Sequence, residues 1–415
     1  MTRFRCGIVL IFLSLLALQS LTFGQSKEDV LLNYSYTGSG KPGVSGREFM
    51  EVMKHREVQR VLLDIAAAPR SQVFLDEALK GTGVTPGDLQ ALGLIRTDGD
   101  RYLLAFSLYT RADLDKIRAV AEVEGKTLAA ALLAHRSEIE EILTRDPLPG
   151  VDWRAVAYFV LGCASLDWDG LNLTVEKGYR TVPKEGTYLP EALQPGGGGS
   201  VRGLYWGSHS MHAPIAFTSF GDHYSQPRNA LPDLLWYLDL NAPEPLKFHL
   251  IDAADALIRR RAGMMMLALR DSDKNRTQLA AAAGVTEEEA EKLLTLLAQL
   301  NYIRVVDDRY RAIVPVLTER DAPMVKQLRR IGHEVMVEWF AKHYEILCQK
   351  LGDLTPVRYD VPLSDGFYRV WHYVFGIANR ELVAAGLLAD PYDPERSFKG
   401  FIPAVYQLEV VQGPL

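Results

Sequence analysis

The sequence predicts a mainly α-helical protein with small β-hairpins, organised as a tandem duplication whose units each carry long packing helices. Three observations predict it. Apolar residues recur near a 3.6-residue period in long stretches, as at Val335, Trp339 and Ile346. Short alternating runs divided by Asp98-Gly99 or Asp307-Asp308 read as hairpins. The third observation is internal similarity at an offset of 208 residues. Aligning residues 94–113 with 302–321 without gaps gives identities at Ile95/Ile303, Arg96/Arg304, Asp100/Asp308, Arg101/Arg309, Tyr102/Tyr310, Thr110/Thr318 and Asp113/Asp321. Seven of 20 positions match, where unrelated sequence gives about one.

Composition is that of a globular chain: 415 residues, 48% hydrophobic and 24% charged, which excludes wholesale disorder and predicts two or three domains. Three cysteines cannot frame a disulfide-dense fold.

Residues 1–24 read as a signal peptide. Arg3 and Arg5 form the basic region, Gly7 to Leu21 the apolar core, and Thr22 and Gly24 the small residues before the cut. The apolar run is shorter than the roughly 20 residues that a bilayer span needs. No small-residue-then-Cys motif follows it, so the expectation is a secreted or periplasmic protein with no integral membrane segment after cleavage. Losing Arg3 and Arg5 makes the chain two charges more negative than the −6 of the full sequence, which disfavours nucleic acid and anionic membranes as partners. Cys163 and Cys348 remain, and read more readily as two separate thiols than as a bridge.

A polar lead (25–55) precedes unit 1 (56–185), a Gly- and aromatic-rich linker segment (186–250), unit 2 (251–400) and a C-terminal tail (401–415). Gly83-Val84-Thr85 answers Gly284-Val285-Thr286, Gly162-Cys163-Ala164 answers Gly376-Ile377-Ala378, and Gly170-Leu171 answers Gly386-Leu387. In unit 2, 255–269 reads as a helix and 277–283 as a second. Gly284 makes a turn, and Thr286 opens a third helix with Glu289 in the capping-box position. A hairpin follows over 302–314. Helical stretches 113–144 and 321–351 come next, then others near 153–165 and 367–385.

This order of helix, helix, turn, helix and hairpin resembles the winged helix-turn-helix superfamily, over residues 277–314 and less completely over 73–106. The resemblance implies tandem winged-helix-like units with β-hairpin wings, a third helix and wing that read DNA, and flanking helices that dimerise. Within one chain the last implication becomes an intramolecular pseudo-dimer. The residues count against DNA. The third helix of unit 2 opens Thr286-Glu287-Glu288-Glu289-Ala290-Glu291-Lys292, where a phosphate backbone needs the opposite charge. In unit 1 the same helix is about seven residues shorter, because the Gly-Val-Thr pairs lie 201 apart and the Ile-Arg pairs 208.

The densest constellation of chemistry-bearing residues lies in the linker segment. His209 and His212, with Asp222 or His223, supply a candidate zinc set that leaves one position for water. The same stretch also reads as an ordered aromatic loop, in which Trp206, Phe217, Phe220 and Tyr224 pack and the histidines bond locally. Trp206 is a candidate ligand or interface residue. His135 and His343 share a register of the duplication and are candidates for a contact between pseudo-symmetric helices, or for two satisfied helix histidines. His333-Glu334-Val335-Met336-Val337 lacks the second histidine of a zinc-protease helix, and Gly196 to Gly199 lacks the Lys-Ser/Thr of a phosphate loop. No catalytic residue is assigned.

These features predict a secreted, non-catalytic binding or interaction protein that needs no cofactor and whose partner is a protein or small molecule. The alternative is a zinc-binding protein or zinc-dependent hydrolase using the histidine cluster. A DNA-binding regulator comes third.

Overall fold

A computed structural model describes residues 31–38, 43–44, 47–196, 203–211, 215–222, 231–232, 258–396 and 400–412. The predicted signal peptide lies outside them, as do residues 25–30, 39–42 and 45–46 of the lead. The described chain is mainly helical with small sheets, and none of its helices is long and apolar enough to cross a membrane.

The chain begins with β1 (Asn33–Gly38), the short pair β2 (Gly43–Val44) and β3 (Arg47–Glu48), and helices α1 (Phe49–Lys54) and α2 (Arg56–Ala67). A first module follows: β4 (Arg70–Ser71), α3 (Gln72–Ala78), α4 (Pro86–Ala91) and the hairpin β5 (Ile95–Asp98) and β6 (Arg101–Leu104). Next are β7 (Ser107–Tyr109), α5 (Arg111–Leu133), α6 (Arg136–Arg145), α7 (Trp153–Ala157), a π-helix (Tyr158–Asp169) and α8 (Gly170–Glu176). Three strands come after, β8 (Tyr188–Leu193), β9 (Tyr205–Met211) and β10 (Ile215–Asp222). A second module consists of α9 (Arg260–Ala268), α10 (Arg276–Ala283), α11 (Glu287–Gln299) and the hairpin β11 (Ile303–Val306) and β12 (Arg309–Ala312). The remainder is β13 (Val316–Leu317), α12 (Ala322–Lys350), α13 (Thr355–Arg358), α14 (Leu363–Ala384), β14 (Phe401–Gln407) and α15 (Leu408–Gln412).

These elements form two compact units, each discontinuous in sequence. Of the described residues, the first holds those within 31–120, 174–196 and 343–371, and the second those within 121–173, 203–342 and 372–412. Consecutive units were expected, but the long helices α5, α12 and α14 each contribute residues to both.

In the first unit, β8 lies between β1 (antiparallel, Asn33↔Leu193) and β7 (parallel, Ser107↔Glu191). The core beside this sheet gathers Phe49, Val58, Leu62, Ile65, Leu75, Leu89 and Leu104. Gln59 is buried there and satisfied: its Oε1 accepts from the Leu32 N–H at 2.9 Å and its Nε2 donates to the Met53 carbonyl at 2.8 Å. A Cβ at Gly366 would fall 1.7 Å from the Tyr109 hydroxyl, so this turn of α14 accepts only glycine.

In the second unit the strand order is β13-β14-β10-β9, with β14 antiparallel to β10 and parallel to β13. All eight residues of β10 are buried, which removes the polar alternation that marks a half-exposed strand. The stretch expected as a linker therefore contributes strands to both units. The stretch expected as a tail holds β14, an interior strand with six of its seven residues buried.

Several local features recur between the two modules. Thr110 and Asp113 form a capping box at the start of α5: Asp113 Oδ2 accepts from the Thr110 N–H and hydroxyl, both at 2.7 Å. Thr318 and Asp321 repeat it before α12, at 2.8 and 3.2 Å. Thr85 with Asp88 and Thr286 with Glu289 cap α4 and α11 in the same way. The Leu94 N–H bonds to the Leu89 carbonyl as that of Tyr302 does to Leu297, both at 2.9 Å. Arg70 pairs with Tyr102 as Lys274 does with Tyr310. Both hairpins have two-residue loops. Gly99 and Asp100 occupy the first, one residue later than expected, and Asp307 and Asp308 the second, with φ of 49° and 59°.

Candidate functional site

The second unit places a polar centre beneath its sheet. The π-helix is buried at all 12 positions and widens the helix to i→i+5 bonding, a form concentrated at functional sites. Most of its side chains are apolar, but Ser165, Asp167 and Asp169 lie within it. His372 of α14 holds its Nε2 3.8 Å from Asp167 Oδ1, longer than a hydrogen bond and an ion pair only when the imidazole is protonated. Trp206 of β9 meets the His372 ring edge to face at 4.7 Å, so this candidate is an interior residue of the centre. Asn379 donates to the Gly162 carbonyl at 3.3 Å and the Tyr205 carbonyl at 2.9 Å. Arg329 of α12 grips Asp169 with two hydrogen bonds of 2.7 and 2.8 Å. A Cβ at Gly332 would lie 2.0 Å from Ser165 Oγ, so α12 approaches the π-helix here only because the position is glycine.

Burying the Arg329 and Asp169 charges costs several kcal/mol per ion, which their two-pronged pairing offsets. Asp167, His372, Ser165, Asn379 and Trp206 are all buried, which closes the centre to bulk water. Burial, with the negative field of Asp167, pushes the Cys163 thiol well above its usual range and disfavours a thiolate. Burial does the same to the Tyr158 phenol. The arrangement can hold and orient side chains; an external substrate does not reach it without movement of the surrounding elements. Both Cys163 and Cys348 are free thiols.

The predicted metal set is only partly described. His209 lies on β9 opposite Ser219, and Asp222 ends β10, while His212 and His223 lie outside the described residues. Asp222 Oδ2 accepts from the Tyr392 hydroxyl at 2.6 Å and the Gly203 N–H at 3.2 Å. Among the described residues no group of three or more His, Cys, Asp and Glu side chains is placed to hold a metal ion.

His135 sits at the break between α5 and α6 and not inside a continuous helix; its Nδ1 is 3.3 Å from Glu138 Oε2 at the surface. It belongs to the second unit. His343, half-buried on α12, belongs to the first.

The third helices of the modules differ as the sequence indicated, with six residues in α4 and 13 in α11. The acids of α11 are taken by neighbours: Arg276 pairs with Glu287 and Glu291, Lys292 with Glu288 and Arg261 with Glu289. The Lys292 ammonium holds the Glu288 carboxyl below its ordinary range, and hydrogen bonds from Thr286 do so for Glu289. In the first module an open cleft of about 460 Å³ lies between α3, α4 and β6, lined by Gln72, Asp76, Leu79, Val84, Pro86 and Tyr102 among others.

Comparison with known proteins found no matching family model, no matching curated protein and no matching solved structure. Sequence reasoning named Trp206 as a ligand or interface candidate and did not name Asp167, Asp169, Arg329, His372 or Asn379. The signal that marks them is the presence of Ser165, Asp167 and Asp169 within an otherwise apolar helical run.

Proposed function

We propose that the chain is exported and acts as a non-catalytic binding protein, built on two duplicated winged-helix-like modules. The repeated caps, hairpins and backbone bonds support the duplication. The observation that carries the function is the web of ion pairs on α11. The helix that would face phosphate in a DNA reader presents four carboxylates against three cations, Arg261, Arg276 and Lys292, each of which is already paired with them, so it offers no free cationic surface to a polyanion. In the first module α4 is too short to fill a major groove. The partner is then a protein or small molecule held at a surface. The test is the purified mature chain in a broad hydrolase panel, with intact mass to locate the cleavage. No turnover and a mass beginning near Gln25 are expected; turnover refutes the reading.

A zinc site at His209, His212, Asp222 and His223 stands as the second reading. It requires Asp222 to exchange the Tyr392 and Gly203 donors for a metal. Metal content of the chain prepared without chelator, beside H209A/H212A, decides it: one equivalent of zinc lost in the variant favours the metal.

A further inference from the structure

One region of the second unit gathers aromatic rings around two carboxylates. Tyr205 and Asp222 are partners across the β9 and β10 pair, where its register shifts. The loop after α14 adds Asp390 and Tyr392. The Tyr392 hydroxyl donates to Asp222 Oδ2 at 2.6 Å and its N–H to Asp390 Oδ1 at 2.8 Å, so one residue is tied to both carboxylates. Its ring centroid lies 6.4 Å from that of Tyr205, with the planes inclined at 50°. Tyr158 of the π-helix backs Tyr205 at 6.4 Å and is itself packed against Phe220 at 5.4 Å.

The surface and interior members offer different things. Tyr392 is 44% exposed, Asp390 is exposed and Tyr205 is half-buried, so a ligand reaches two rings and one carboxylate. Asp222, 2% exposed, and the fully buried Tyr158 lie behind them and contribute field, not contact. Burial and the charges of Asp390 and Asp222 push Tyr205 up to about 12, so both carboxylates act on this phenol. The Tyr158 hydroxyl lies in the same field and has no hydrogen-bond partner among the described residues. The cation whose field also reaches Tyr205 is Arg380, and Glu122, at 2.6 and 3.0 Å, and Glu381, at 2.7 Å, already hold it. The balance at the ring pair is therefore negative, which selects a cation. A metal ion needs several oxygens to replace its water. The exposed groups here give one carboxylate, and no set of three or more His, Cys, Asp and Glu side chains converges among the described residues. Aromatic faces instead attract the positive methyl groups of an alkylated ammonium.

We propose that Tyr205, Tyr392 and Asp390 form a site for a methylated ammonium group, the rings covering its methyls and the carboxylate balancing its charge. The proposal rests on the binding-protein reading and adds the class of ligand to it. Tyr392 is the anchor. Its bonds to Asp222 and Asp390 hold ring and carboxylate in place before a ligand arrives, so little ordering is lost on binding.

Calorimetric titration of the full mature chain with choline tests the site, beside the uncharged analogue in which a quaternary carbon replaces the nitrogen. Saturable choline binding is expected, about tenfold or more tighter than that of the analogue. Tyr392→Leu should weaken it about tenfold or more, while Tyr392→Phe, which keeps the ring, should hold it within about fivefold. Asp390→Asn should weaken it about threefold, and Asp390→Lys should abolish it. Unchanged circular dichroism and melting establish that each variant folds, and the exposed Asp390→Lys carries the test should Tyr392→Leu not fold. A peptide bearing trimethyllysine, titrated in parallel, distinguishes the sources: tighter choline assigns a free solute and tighter peptide a methylated protein. Equal affinity for the uncharged analogue, no saturation by about 10 mM choline, or binding that survives Tyr392→Leu and Asp390→Lys overturns the site while leaving the binding-protein reading intact. Substrate turnover or duplex-DNA binding overturns the broader reading whatever the titration yields.

Discussion

Arg270 and Asp321 form a buried, two-pronged ion pair, with Arg270 Nη2 2.5 Å from Asp321 Oδ1 and its Nε 3.1 Å from Oδ2. The same carboxylate caps Thr318, so a single residue ties α9 to the start of α12. Asp113, its counterpart in the first module, caps Thr110 identically but gives its second oxygen to the Thr355 N–H at 2.8 Å. The two capping carboxylates thus differ in their third partner. Arg270→Met leaves Asp321 buried without its cation and should cost about 3–5 kcal/mol in urea unfolding, with part recovered in Arg270→Met/Asp321→Asn. A loss below about 1 kcal/mol would show that the pair does not hold the module together.

The contact of α12 on the π-helix at Gly332 yields a second prediction. Gly332→Ala drives a methyl into Ser165 and should destabilise the protein by about 1–3 kcal/mol. Ser165→Ala should relieve part of that in the double variant, because the hydroxyl is the nearest atom. A double-mutant cycle with no coupling between the two changes contradicts the packing.

His372 should report on the polar centre through Trp206. His372→Ala removes the ring that Trp206 meets at 4.7 Å and leaves a void beside Asp167. A loss of about 2–4 kcal/mol and a changed Trp206 emission are expected, with Trp206→Phe identifying which of the six tryptophans gives the signal. Unchanged emission would contradict the placement of β9.

The phenols set the alkaline limit of stability. Burial pushes Tyr205 and Tyr188 up to about 12, and raises Tyr109 and Tyr158 as well. In the unfolded chain these groups ionise near their ordinary value of 10.0. The folded state therefore binds more protons above that pH. Stability from these groups is full below pH 10 and falls as the pH rises toward 12. Phenolate absorbance should rise in two stages, the exposed tyrosines first and the buried ones together with loss of the helical dichroism. A single transition near pH 10 at intact dichroism would contradict the burial.

What the sequence made legible is what short-range chemistry dictates. Thr286 with Glu289, Gly284 in the left-handed region, and the Asp307-Asp308 turn are local signals, and each appears where the sequence placed it. The seven-residue difference between α4 and α11 was readable from two offsets in the repeat. Residues 188–193, 205–211, 215–222 and 401–407 were not readable as strands for opposite reasons. Pro190 and the glycines mask β8 and β9, while β10 and β14 are buried on both faces and show no alternation. The His372 and Asp167 pair is separated by 205 residues, and no local pattern announces such a contact.

The ion pairs of α11 carry the central claim, and duplex-DNA binding tests them most directly. Fluorescence anisotropy of a labelled random-sequence duplex with the mature chain at low salt is predicted to show no saturable binding. Glu287→Lys/Glu288→Lys/Glu291→Lys should gain salt-dependent affinity. Saturable, salt-dependent binding by the unaltered chain would contradict the account.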